Sequence, residues 1–380
     1  MSNRRVVPLA CALAALVTSG LGVVVSLNEE HWNTTGLVQM WDKLPLSELA
    51  VRDQPGFLLR GSAGHYDGAF FYAVARDPLA TGQAHRLVPQ APYYWGHPAF
   101  GWLAWLASAG GRPGAVPDAL LAVGLLCLFV AGGAASVLAR TLGWSAWGGL
   151  VVALNPGLVF AVYSDTSESL GAALLLLALA AYATGRRRWT VALLAALCFD
   201  KEPLVLVPLA IAAWEFPRTR RLPIVVASVV PAGLWWIYLR IHLGGFPFGY
   251  GGQRLTAPFL GWTRGLLEAA NQIWSPNPDV AQLGQASVAL IIMVGASIIG
   301  GAIYALKFRH VVAPVFLVLA ALYACITPNG VEYPKDLLRE VALVLTLVPF
   351  VVAAPGGAAQ AAFARKYPQV HRLFRRRSES

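Results

Sequence analysis

Apolar residues recur in long runs from one end of this chain to the other, with short polar stretches between them. Ten runs can be drawn, at residues 6–27, 117–139, 145–161, 169–184, 190–199, 204–214, 222–241, 286–306, 311–326 and 341–354. A bilayer core of about 30 Å takes roughly 20 residues of helix, so the pattern predicts an all-α, polytopic membrane protein of about ten transmembrane helices. Two of the ten, residues 190–199 and 204–214, are short arms either side of Asp200-Lys201-Glu202-Pro203. They predict a broken or tilted hairpin whose charged tip faces a cavity, because charges turned toward lipid are too costly. An eleventh run, residues 99–109, is too short to cross. With Trp102 and Trp105 inside it and Tyr93, Tyr94 and Trp95 just before it, it reads as a helix lying in the interface.

Polar segments set the orientation. Arg186-Arg187-Arg188, the basic cluster at 217–221, and Lys307, Arg309 and His310 mark cytoplasmic turns. Counting crossings from them places both termini in the cytoplasm, provided residues 99–109 do not cross. Residues 28–98 then form an external first loop, helical in part, and residues 243–285 a second external loop. Residues 355–380 form a basic cytoplasmic tail, and residues 1–380 a single transmembrane domain. The loops assigned outside hold more acidic than basic residues, which points to chemistry on the extracytoplasmic side.

Composition agrees. Of 380 residues 57% are apolar and 13% charged, with a mean hydropathy of +0.58. The net charge of +10 sits largely in short loops and the tail, so it reads as topology and lipid contact rather than nucleic-acid binding. Cys11, Cys127, Cys198 and Cys325 all fall in apolar runs, which predicts packing residues rather than disulfides. Residues 6–27 exceed the usual length of a signal-peptide core and read as the first membrane helix.

Candidate chemistry gathers in three places. The first is His65-Tyr66-Asp67-Gly68, running into an aromatic helix that ends near Arg76-Asp77-Pro78. Asp67, among aromatics beside the bilayer, has the character of a general base; it could equally cap the helix after it. His65 and Arg76 share a face of a helix drawn from position 65, and that face could meet a phosphate or simply face water. The second place is Tyr163-Ser164-Asp165-Thr166-Ser167-Glu168-Ser169. Here Ser164 or Asp165 could cap the next helix with Glu168 in its first turn, or Asp165 or Glu168 could bind sugar hydroxyls. The third is a set of cations, Lys201, Lys335 and Arg339, with Arg254 and Arg264 in the second loop, suited to a phosphate. No cofactor is implied. A divalent metal is not required, although convergence of Asp67, Asp165 and Glu168 would admit one.

The ordered set, Tyr66-Asp67-Gly68 in a long first loop followed by Asn155-Pro156 and Tyr163-Ser164-Asp165 with Glu168-Ser169, resembles the GT-C superfamily of integral membrane glycosyltransferases. It is most similar to the GPI second-mannose transferases (PIG-V) and their prokaryotic relatives. The similarity lies in residues 65–170; beyond them only topology matches. It departs where extra residues separate Asp165 from Glu168. The resemblance implies an inverting transfer of a sugar, with mannose favoured, from a polyprenyl-phosphate donor to a hydroxyl of a glycan, lipid or protein acceptor. It makes Asp67 the base; Tyr66, Lys201, Lys335 and Arg339 are read beside it as substrate-binding residues. The competing reading is a membrane transporter or lipid flippase, which would need charges along a path at mid-membrane.

Overall fold

A computed structural model describes residues 3–61, 66–219, 223–248, 255–307 and 310–352. His65, Arg254 and the 355–380 tail therefore lie outside the described residues. The described chain is almost wholly helical. In order the helices are α1 (Asn3–Glu29), α2 (Leu46–Asp53), α3 (Gly68–Arg76), α4 (Ala91–Tyr94), α5 (Ala99–Ala107), α6 (Val116–Thr141), α7 (Leu150–Ala153), α8 (Pro156–Tyr163) and α9 (Glu168–Ala183). They continue as α10 (Arg187–Cys198), α11 (Leu206–Thr219), α12 (Pro223–Leu243), α13 (Leu260–Gln272), α14 (Pro278–Lys307), α15 (Val312–Ala324), α16 (Asn329–Glu332), α17 (Pro334–Glu340) and α18 (Ala342–Val352). The only strands among the described residues are a parallel pair, Met40–Trp41 with Leu59–Arg60.

Among the described residues three helical stretches are long and apolar enough to cross a membrane: Val6–Glu29, Pro113–Thr141 and Pro278–Lys307. A fourth is gained if Ala146–Ala153 and Pro156–Tyr163, bent by 51°, make one span. The runs drawn at 169–184, 311–326 and 341–354 fold as Glu168–Ala183, Val312–Ala324 and Ala342–Val352, all shorter than a full span. At 1.5 Å per residue the longest of these reaches about 24 Å.

α6 is the spine. α1 packs along one side of it and α9 along another; α10 packs on α9, and α12 on α10. The α7–α8 bend has a local cause. Pro156 cannot continue the helix before it, and it disfavours helical backbone at Asn155. Asn155 instead adopts extended backbone, and its Oδ1 accepts hydrogen bonds from Gly157 N (3.0 Å) and Leu158 N (3.4 Å), capping α8. Its Nδ2 donates to Ala342 O and Thr346 Oγ1, both at 2.9 Å, which ties the bend to α18.

The run at 99–109 folds as the nine-residue α5, packed on α3 and α6. The hairpin arms fold as α10 and α11, and at its tip Lys201 meets Glu168 at the start of α9.

Candidate active site

Two glycines set the distances on which the site depends. Gly68 opens α3, and a Cβ there would stand 2.8 Å from both Ser164 O and Val38 O. Only a residue without a side chain lets α3 start against the 164–167 turn. Gly157, in the first turn of α8, lies so close to α17 that a Cβ would stand 2.0 Å from Leu338 O. Asp67 precedes the first contact in sequence, and Arg339 follows the second.

Asp67 occupies the N-cap position of α3, yet its side chain makes no capping hydrogen bond. Its Oδ2 accepts instead from Arg339 Nη1. The same Nη1 lies 3.7 Å from Glu168 Oε1, and Arg339 Nη2 donates to Glu340 Oε1 at 2.7 Å. Lys201 Nζ donates to Glu168 Oε1 at 2.6 Å. One guanidinium therefore bridges Asp67 to a buried Glu168–Lys201 pair. Arg339 and Glu168 are almost fully buried, whereas the Asp67 side chain keeps 35% of its surface exposed. Burial works against the charge of Arg339, but Asp67, Glu340 and Glu168 outweigh it and hold the guanidinium protonated.

Tyr66 covers the cluster. Its hydroxyl donates to Asp336 Oδ1. Arg339 Cζ stands 4.7 Å and Lys335 Nζ 5.2 Å from its ring centroid, within cation–π range. Burial raises the pKa of Asp336, opposed by the Tyr66 hydrogen bond and the two neighbouring cations. Behind Lys201, Glu202 Oε1 pairs with His97 Nδ1 at 2.9 Å, both side chains being buried.

Of the carboxylates read from the second motif, Glu168 enters the ion cluster and Asp165 does not. Neither Ser164 nor Asp165 caps α9: the N-cap residue is Ser167, without a side-chain capping bond, and Ser164 Oγ turns back to Phe160 O at 2.7 Å. Asp165 takes a left-handed backbone conformation (φ 51) and is fully buried, with no hydrogen-bond partner for either oxygen. Burial pushes its carboxyl well above the usual carboxylate range, and Asp118 adds to the rise. Asp67, Asp165 and Glu168 thus do not converge as metal ligands, and among the described residues no three His, Cys, Asp or Glu side chains group in that way.

Arg76 is also placed elsewhere. It sits at the far end of α3, where Nη2 donates to Asp53 Oδ2 (2.7 Å) and Nη1 to the Tyr72 hydroxyl (3.1 Å). Tyr72 and Arg76 do share a face, but that face closes on α2 instead of on the cluster. Asp77 ends the helix as expected, accepting from Thr81 N, Gly82 N and His85 Nδ1.

No family model and no curated protein matches this chain. The cluster has to be interpreted by its own chemistry: a partly exposed carboxylate held by a buried arginine, a second carboxylate held by a lysine, and a further cation over a tyrosine ring. Asp336, Glu340, His97 and Glu202 were not singled out from the sequence. Asp336 and Glu340 lie one turn apart from Arg339 or beside it, in a stretch recognisable only for its cations.

Proposed function

We propose that this protein is a multi-pass membrane glycosyltransferase of the GT-C kind, moving a sugar from a polyprenyl-phosphate donor to an acceptor hydroxyl with inversion. The observation that carries the reading is the Arg339 bridge between partly exposed Asp67 and the buried Glu168–Lys201 pair. It sets a proton acceptor beside fixed positive charge at one end of an apolar helical assembly. In the reaction the acceptor hydroxyl gives its proton to Asp67 as its oxygen bonds to the anomeric carbon. The bond from that carbon to the phosphate oxygen breaks, and polyprenyl phosphate leaves with the electron pair. Lys201, Lys335 and Arg339 offset the charge that develops on the leaving phosphate. A phosphate arriving at Arg339 competes with Asp67 for the guanidinium, which frees the carboxylate to meet the acceptor hydroxyl.

Arg339 Nε, buried without a hydrogen-bond partner, supports a polar ligand here, since such groups are rarely left unmatched. The finer topology belongs to the same proposal: about ten membrane helices, counting bent and short ones, both termini cytoplasmic, and the Asp67 cluster extracytoplasmic. Mannose as the sugar rests on the PIG-V resemblance.

The test is transfer from polyprenyl-phosphate mannose by the full chain in lipid nanodiscs, with a panel of glycan, lipid and peptide acceptors. Wild type is expected to release polyprenyl phosphate and Asp67→Asn to lose at least about 100-fold in rate. Equal rates in the two would remove Asp67 from its role. Absence of transfer from every polyprenyl-phosphate sugar would remove the reading.

A further inference from the structure

Beside Asp67 the protein presents a strip of aromatic surface that the proton transfer does not use. Phe70 follows Asp67 by one helical step of three, so it leaves α3 on the same side. The next residue, Phe71, turns into the core, edge-on to Phe100 at 5.3 Å. Phe70 instead stacks on Tyr94 of α4, with ring centroids 3.6 Å apart and planes within 18°. Tyr93 meets Tyr94 edge-on at 5.0 Å and His97 at 5.1 Å. Phe70, Tyr93 and Tyr94 all keep part of their surface exposed, whereas the neighbouring Tyr72, Trp95 and Phe100 are fully buried.

The strip has polar ends. One is Asp67. The other is His97, paired with Glu202 beside the Lys201–Glu168 pair. Burial raises the pKa of both tyrosines, and the charge of Asp67 adds to the rise, in Tyr93 after that of Glu202. Both rings therefore lie within electrostatic reach of the carboxylate.

We propose that the Phe70–Tyr94 stack, with Tyr93 edge-on to it, is a pyranose-binding platform, an outer ring face taking the apolar face of a sugar ring while the hydroxyl edge reaches Asp67 and the His97–Glu202 end. The chemistry of the rim selects this ligand. A hydrocarbon chain on the strip would cover Asp67 and the Lys201 end without replacing their hydration, which is costly. A pyranose offers C–H groups to the rings and hydroxyls to the ends together. This platform deepens the glycosyltransferase reading and rests on it for the identity of the reaction, but sugar binding can be measured without any transfer.

The experiment is saturation-transfer difference NMR on the full chain in lipid nanodiscs, titrated with methyl α-mannoside and methyl β-glucoside, with cyclohexanol as a ring that lacks the hydroxyl edge. Wild type is expected to saturate the ring protons of at least one glycoside. Phe70→Ala and Tyr94→Ala should each weaken that binding about tenfold, the size of a lost aromatic contact, and Tyr94→Phe should keep it. Melting temperatures close to wild type show that the variants are folded; if Tyr94→Ala is not, Tyr94→Leu, which keeps the bulk and loses the flat face, replaces it. The proposal is overturned if wild type saturates neither glycoside, if the alanine variants bind as wild type does, or if cyclohexanol binds equally with the same dependence on Tyr94. The two ideas fail separately. Transfer by wild type with KM unchanged in Tyr94→Ala removes the platform alone. Glycoside binding without transfer from any polyprenyl-phosphate sugar removes the transferase alone.

Discussion

Replacing Lys201 by methionine tests whether the buried ions act as one unit. The substitution keeps most of the side-chain volume and removes the ammonium that lies 2.6 Å from Glu168 Oε1. Glu168 is only 2% exposed, so it cannot regain water where it stands. Removing one partner of a fully buried pair costs about 3–5 kcal/mol. Two features lower that figure. The Lys201 side chain keeps 26% of its surface exposed, and Arg339 stands 3.7 Å from the same oxygen. We expect about 2 kcal/mol from Lys201→Met. Glu168→Gln leaves two cations short of a partner and should cost a similar amount. The double variant should be less destabilised than the sum of the two, by about 1–2 kcal/mol, because each single change strands what the other removes. The assay is reversible unfolding by SDS in mixed micelles, followed by tryptophan fluorescence. A Lys201→Met variant within about 0.5 kcal/mol of wild type, or strict additivity in the double variant, would refute the coupling.

Other outcomes follow from the same geometry. Gly157→Ala drives a methyl into Leu338 O and should cost about 1–3 kcal/mol while displacing Arg339, so transfer should fall further than the melting temperature suggests; normal activity would show that α17 moves without consequence. Asp165, whose pKa is raised by burial, keeps a proton that the unfolded chain gives up above about pH 4, so its contribution to stability is lost as pH rises toward the folded pKa. Asn suits both the left-handed backbone and the neutral state, so Asp165→Asn should melt above wild type by a margin that widens from pH 5 to pH 8; a margin independent of pH contradicts a neutral Asp165. Arg76→Met should destabilise by about 1–2 kcal/mol, through loss of the Asp53 ion pair, and leave KM for the donor unchanged; a raised KM would return Arg76 to the substrate site.

The helical class and the long runs at 6–27, 117–139 and 286–306 were legible because unbroken apolar length is a local property. The number of crossings was not, since helices of 11–16 residues span a bilayer only if tilted, bent or met by a thin region, and sequence does not encode tilt. In the site, Asp67, Glu168, Lys201 and Arg339 could each be singled out as charges beside apolar helices, and the structure brings those four together. Arg76 lies apart from the cluster, because helical periodicity tells which residues share a face but not what that face meets. Asp165 and Glu168 could not be told apart for a different reason: Asp165 takes a left-handed backbone conformation outside the ion cluster, and nothing in a run of Ser, Asp and Thr marks which residue will adopt it. His97 and Glu202 were hidden because their pairing joins residues 105 apart in sequence.

The Arg339–Asp67 contact closes over 272 residues of chain. During synthesis Asp67, Glu168 and Lys201 all emerge long before Arg339 exists. Glu168 has Lys201 as an early partner, but Asp67 must wait for almost the whole chain. The contact that joins Asp67 to the buried pair is thus among the later ones to become possible, so a chain stalled or truncated before residue 339 carries most of its apolar helices without the completed ion cluster. Such a distant closure makes the final assembly step slow relative to local helix packing. It also gives the cell a chemical difference between finished and unfinished copies: only the finished one holds Asp67 against a guanidinium.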